Sequence, residues 1–171
     1  VDALLAVLVE ATARHLAAQA AAGAEVLQIF ESWAEGLSEP LFERLVLKPT
    51  AALVGRVRAL GVTVPIIGFP RGAGHHYSRY AAETGVSALS LDTAVPVARL
   101  RAFLPKELPL QGNLDPQLLV AGGRALQTAT EEILAKLNQG PFIFNLGHGI
   151  VPETPPEHVA ELVKTVKAWR G

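Results

Sequence analysis

The sequence predicts an α/β protein built on a parallel sheet, and three observations carry that prediction. Five short apolar runs, near residues 25, 64, 88, 108 and 142, each give way to a stretch with helical spacing. The runs are continuously apolar rather than alternating, as expected of strands covered on both faces and joined by right-handed helical crossovers. Each run also ends in glycine, proline or polar residues, which is where a chain leaves a sheet.

Taken in order, Ala3 to about Ala22 is dominated by alanine and leucine, strong helix formers, and Gly23 supplies the stop. Asp2, Glu10, Arg14 and His15 interrupt this run and no basic segment precedes it. It therefore reads as a buried helix rather than a signal peptide or membrane span. Glu25 to Glu31 reads as the first strand. Glu39-Pro40 opens a helix with Leu41, Phe42, Leu45 and Val46 at helical spacing, Pro49 is expected to interrupt it, and Thr50 to Leu60 resumes it before Gly61. Val62 to Phe69 is β-branched and stops at Pro70, Gly72 and Gly74, so it is a strand.

Tyr77 to Thr84 is a short helix, Ala88 to Asp92 a strand, Val97 to Phe103 a helix and Leu108 to Asn113 a strand. A long helix follows from Pro116 to Leu137, with a break expected at Gly122-Gly123. Phe142-Ile143-Phe144 is the fifth strand and stops at Asn145. Glu157 to Trp169 is amphipathic, with Thr154 as its expected N-cap and Glu157 three residues later. No linker or charge block divides the chain, so residues 1–171 are read as one domain.

Composition narrows the function. The 15 basic and 16 acidic residues leave a net charge of -1, without the basic excess that nucleic acid or an anionic bilayer demands. With no cysteine, neither a disulfide framework nor a thiolate zinc site can form. Half the residues are hydrophobic, enough for a substantial core. Methionine is absent and the chain starts at Val1, which reads as a piece of a longer chain.

Polar residues fall at the carboxyl end of every strand: Ser32, then Arg71 with His75 and His76, then Asp92, then Asn113 and Asp115, then Asn145 and His148. In β/α barrels and in open α/β sheets of the flavodoxin kind that edge carries the ligand, and repeat counting alone leaves both architectures open. Asp115 precedes Pro116 and reads as a helix N-cap before it reads as an acid. Asp92 either satisfies loop amides or faces a ligand. His75 and His76 are read as solvated, because a metal site would want a third ligand and none pairs with them. Arg71 either binds a substrate carboxylate or caps a helix C-terminus. Ser32 lacks a neighbouring base and a nucleophile elbow, which leaves it as a hydrogen-bond donor. His148, bracketed by Gly147 and Gly149, is the imidazole with least to pack against and is read as functional.

Five motifs then occur in order: Phe30-Glu31-Ser32-Trp33-Ala34, Gly68-Phe69-Pro70-Arg71-Gly72, Gln111-Gly112-Asn113-Leu114-Asp115-Pro116, Asn145-Leu146-Gly147-His148-Gly149-Ile150 and Pro152-Glu153-Thr154-Pro155. Together they resemble the uroporphyrinogen decarboxylase family, in its bacterial form, over essentially the whole chain. The resemblance implies that the chain is the C-terminal portion of a (β/α)8 TIM barrel, about five βα repeats of it. It implies conversion of uroporphyrinogen III to coproporphyrinogen III by removal of four acetate carboxyls, without metal or organic cofactor, in a cytoplasmic homodimer. It further implies that Ser32 and His148 contact substrate and that Phe30 walls the pocket. The family's arginine-rich segment, its carboxylate facing the pyrrole N–H groups and a substrate-contacting tyrosine would lie upstream, so no catalytic residue is assigned within this chain. Glu35 departs from the family's usual glycine, with Gly36 beside it able to take the turn. Two other readings are a partial barrel inactive by itself, and a corrinoid or thiol methyltransferase of the same superfamily, which would need zinc-binding cysteines that this sequence lacks.

Overall fold

Every strand expected from the sequence is present and each is followed by a helical segment, in a computed structural model that describes residues 1–170, with backbone alone at 98 and 100. The chain divides into two units, one over Val1–Leu89 and the other from Ser90 onward.

In the first unit, α1 (Asp2–Ala21) leads into β1 (Leu27–Glu31), α2 (Glu39–Phe42), a π-helical turn (Glu43–Leu47), α3 (Lys48–Ala59), β2 (Ile66–Pro70), a 3₁₀ turn (Gly74–His76), α4 (Tyr77–Glu83) and the start of β3 (Ala88–Ser90). β2 lies between β1 and β3, all parallel, with Ile29 opposite Gly68 and Ile67 opposite Ala88. A flavodoxin-like sheet would place the first strand between the second and third, so that alternative is excluded. The order along the sheet follows the chain from β1 to β5, the winding of a β/α barrel, of which five repeats are present.

Three expectations are corrected here. The helix does not stop at Pro49: Glu43–Leu47 winds as a π turn directly into α3, and the Lys48 N–H reaches back to the Glu43 carbonyl. That wider spacing accommodates a proline ring without a chain break. Nor is α1 buried: Ala13 and Leu16 are, while Leu4, Val7 and Leu8 are 62%, 65% and 50% exposed. Alanine favours helix through propensity alone, and apolar residues set all round a helix cannot all meet α3, the element against which α1 chiefly packs. His76 is buried rather than solvated, because the 3₁₀ turn directs its ring onto Phe42, stacked at a centroid distance of 4.3 Å.

In the second unit, α5 (Val97–Leu100) and a 3₁₀ turn (Arg101–Phe103) precede β4 (Leu110–Leu114), α6 (Pro116–Ala121), α7 (Gly123–Leu137), β5 (Phe142–Leu146) and α8 (Pro156–Ala168). β4 and β5 are parallel, with Asn113 opposite Asn145. Leu114, Leu119, Leu126 and Leu162 form the core between strand and helices. The expected break falls at Gly122, whose φ of 66° and contact with the His158 ring both exclude a side chain. A Cβ there would sit 2.3 Å from His158 Cε1. The N-cap of α8 is Pro155 and not Thr154, which makes no capping bond, because the proline-rich entry holds the chain extended one residue further than the capping box requires.

β4 is buried along its whole length, whereas β5 alternates half-buried and exposed positions. β1 likewise leaves Phe30 66% exposed. These are the end strands of the sheet, and their open faces are unusual for parallel strands.

Candidate functional site

The carboxyl ends of β1 and β2 are tied into one piece. β1 ends at Glu31, whose carboxylate accepts the Trp33 N–H at 3.0 Å and so folds Ser32 into a tight turn. The Arg71 N–H extends the strand pairing by donating to the Glu31 carbonyl at 2.9 Å. Its guanidinium then donates through Nη1 to the Ser32 carbonyl at 2.9 Å and lies over Trp33, with Cζ 5.9 Å from the ring centroid. Gly72 completes the joint: at φ 79° it presses so closely on Glu35 that a Cβ would stand 2.5 Å from the Glu35 Cβ. Gly36, with φ 72°, takes the turn that Glu35 cannot. Ser32 and Trp33 are exposed, and Phe30 meets Phe69 edge-on with ring centroids 6.0 Å apart. Arg71 therefore caps no helix; it holds the turn that carries Ser32.

Beside that joint, burial, reinforced by the neighbouring His75, lowers the pKa of His76. Its role is packing. Among the described residues no cluster of three or more His, Cys, Asp or Glu side chains could hold a metal.

The carboxyl ends of β4 and β5 form a second assembly, in the second unit. Asn113 Nδ2 donates to the Asp92 carbonyl at 2.9 Å and to the Val95 carbonyl at 3.3 Å. Asp92 Oδ1 accepts the Ala94 N–H at 2.9 Å, the loop-amide reading of that residue. Gln111 Nε2 donates to Ser90 Oγ at 3.0 Å, below the same loop. Gly147 fits closely against the same loop, where a Cβ would come 2.5 Å from the Thr93 nitrogen. Asp115 accepts the Gln117 N–H at 2.9 Å and is the N-cap of α6. Asn145 accepts the next residue's N–H and stays exposed. His148 follows Gly147 into solvent, and its ring makes one long contact, Nδ1 to the Gly149 carbonyl at 3.5 Å.

The strand ends thus carry the residues picked from the sequence: Ser32, Phe30 and Arg71 in the first unit, His148 in the second. Sequence reasoning missed His158, whose Nδ1–H donates to the Leu119 carbonyl at 3.0 Å and pins the start of α8 to the end of α6. The signal was the Gly122-Gly123 pair, which marks a helix end needing a partner from outside the helix.

A model of the family described as uroporphyrinogen decarboxylase (URO-D) matches residues 1–169. The chain belongs to that family. A uroporphyrinogen decarboxylase of Maricaulis maris (strain MCS10) is 52% identical over 166 residues, which are 97% of this chain and 48% of the relative. One from Caulobacter vibrioides (strain NA1000 / CB15N) is 55% identical over 165 residues, 96% of this chain and 47% of that protein. The chain spans about half the length of these members of the family. Among solved structures, a methyltransferase from Methanosarcina mazei superposes with a TM-score of 0.77 at 21% identity, covering 93% of this chain and 46% of its own. That likeness concerns the fold alone.

Proposed function

We propose that this chain is the C-terminal portion of a single-domain β/α barrel that decarboxylates the four acetate side chains of uroporphyrinogen III to give coproporphyrinogen III. The observation that carries the reading is the match of the uroporphyrinogen decarboxylase family over residues 1–169, in a chain whose family motifs stand at strand carboxyl ends. Barrel enzymes place their chemistry at that edge. The open faces of β1 and β5 suit strands that the rest of the relatives' length would cover.

At each acetate the chemistry needs a proton delivered to the adjoining pyrrole carbon, so that the ring becomes an electron sink. The bond to the carboxylate then breaks, CO₂ leaves, and a methyl group remains once the ring proton is given up and the side-chain carbon is protonated. Protein groups have to hold an octa-anionic substrate and offset positive charge on the ring. We assign Ser32 as a hydroxyl donor to a substrate carboxylate, Phe30 as an apolar wall and His148 as a donor to substrate. The charge-offsetting carboxylate and the arginine-rich segment are assigned to the half of the relatives that this chain does not span. The reading includes carboxy-lyase activity without a cofactor, and a cytoplasmic homodimer.

The test is turnover by a chain of the family's full length that carries these 171 residues. Under anaerobic conditions it should consume uroporphyrinogen and accumulate coproporphyrinogen, and His148→Ala should slow both. Wild-type protein that leaves uroporphyrinogen untouched would end the reading. An unchanged rate and product distribution in His148→Ala would remove that residue from the substrate contacts.

A further inference from the structure

Most arginines of the chain have their work accounted for by the protein itself. Arg14, Arg44, Arg56 and Arg79 are paired with carboxylates, and Arg58 and Arg101 each serve two or more backbone carbonyls. Arg71 differs. It is half-buried at the carboxyl end of β2, gives one N–H to the Ser32 carbonyl, rests on the Trp33 ring and has no ion pair among the described residues. A guanidinium carries five N–H donors in a rigid planar fork, so most of this one's capacity is unspent by the protein. The nearest acid along the strand, Glu31, has turned its carboxylate to the Trp33 N–H.

The surroundings hold the fork in place. The bond to Ser32 fixes one corner of the guanidinium, Trp33 restrains its plane, and the contact of Gly72 with Glu35 stops the loop from sliding. A cation held at one corner and set over one ring loses less side-chain freedom when it takes an anion than an unrestrained one. The residue whose carbonyl it grips is Ser32, exposed, with no side-chain hydrogen bond among the described residues.

We propose that Arg71 forms a carboxylate-binding subsite with Ser32 at the carboxyl ends of β2 and β1: the N–H groups not engaged by the Ser32 carbonyl take the two oxygens of a ligand carboxylate, and the Ser32 hydroxyl donates to one of them. No covalent step is involved. The inference rests on the polycarboxylate reading of the substrate given above and adds to it the residue that meets one of those carboxylates. Charge-assisted, two-point contacts of this kind are stronger than neutral hydrogen bonds and are made by arginine better than by lysine.

The experiment compares wild type, Arg71→Lys and Arg71→Gln in the full-length protein, with circular dichroism and melting curves to establish that all three fold. Lysine keeps the charge and loses the fork; glutamine loses the charge while still offering an N–H to the Ser32 carbonyl. A carboxylate subsite requires Arg71→Gln to raise KM for uroporphyrinogen about tenfold or more at low salt with a smaller change in kcat, and Arg71→Lys to fall between it and wild type. A KM within twofold of wild type in Arg71→Gln, or glutamine restoring function better than lysine, overturns the proposal and leaves Arg71 as a brace for the Ser32 turn. Wild-type protein without turnover would strike the decarboxylase reading instead. Binding of the stable porphyrin octacarboxylate uroporphyrin, followed by fluorescence quenching, then decides the subsite on the same comparison of variants.

Discussion

Asn113 and Asp92 are joined by a buried hydrogen bond from the Asn113 side-chain amide to the Asp92 carbonyl, 2.9 Å long, and the same amide reaches the Val95 carbonyl at 3.3 Å. One side chain on β4 thereby closes the turn that follows β3. Gly147, packed closely against that turn, is the residue from which the backbone leads to His148. Asn113→Leu keeps the branched outline of the side chain and removes both N–H donors. We expect a loss of about 1–3 kcal/mol, the cost of stripping partners from buried polar groups, read as a lower urea midpoint at unchanged slope. A shift under about 0.5 kcal/mol would mean that the turn is held without this amide.

Asp115 tests the line between capping and chemistry. Its carboxylate accepts the Gln117 N–H at 2.9 Å at the start of α6. Asp115→Ala should cost about 0.5–2 kcal/mol of stability, and Asp115→Asn or Asp115→Ser should recover most of it, since those residues cap as well. In the full-length protein kcat should follow the stability of the variant and not its charge. A fall of kcat by orders of magnitude in a fully folded Asp115→Asn would return Asp115 to the list of acids.

The strand ends were legible to within a residue because local chemistry writes them: apolar runs give way at Pro70, where β2 ends, and at Asn113 and Asn145, each one residue before the end of β4 and β5, and Gly122 announces its own helix break. Asp115 was legible for the same reason, an acid directly before a proline at a helix start. What escaped was set by partners distant in sequence. The continuous helix through Pro49 depends on a π turn that begins six residues earlier, and nothing in proline itself reveals it. His76 looked solvated beside His75 and two glycines, yet Phe42, more than thirty residues away, supplies the surface that buries it. Arg71 could be narrowed to two roles from sequence; its grip on the Ser32 carbonyl, 39 residues apart, appears only when β1 and β2 are side by side. Exposure along α1 was misjudged because composition measures how apolar a helix is and not how many neighbours it meets.

Gly68 occupies the middle of β2 with the Tyr80 ring lying directly over it. A Cβ there would come 2.5 Å from Tyr80 Cε1 and 3.0 Å from Val86 Cγ1. Tyr80 is fully buried and so has little room to withdraw. Gly68→Ala should therefore destabilise by about 1–3 kcal/mol through overpacking, although alanine suits a strand better than glycine does. Combining it with Tyr80→Leu should cost less than the two single changes added together, because the smaller side chain makes the room that the methyl needs. Strict additivity of the melting shifts would show that the contact with Tyr80 is not what forbids a side chain at position 68.

Glu10 links α1 to α3: its carboxylate accepts from Arg56 Nε at 2.8 Å and from Arg14 Nε at 2.6 Å. These two hydrogen bonds, Arg56 first, hold its pKa down from the ordinary 4.5 to about 2. A carboxyl whose folded pKa is depressed stabilises the native state in full above its unfolded pKa, and that contribution fades as pH falls toward the folded value. The window for Glu10 is thus pH 4.5 down to about 2. Glu10→Gln cannot ionise, so its melting temperature should lie below wild type at pH 6 by a constant margin that shrinks steadily through this window. The pair is about two-fifths exposed, at 40% and 38%, so solvent screens it and the margin should be small and should narrow further in molar salt. Melting curves that stay parallel from pH 6 to pH 2 would show that the bridge between α1 and α3 draws nothing from the Glu10 charge.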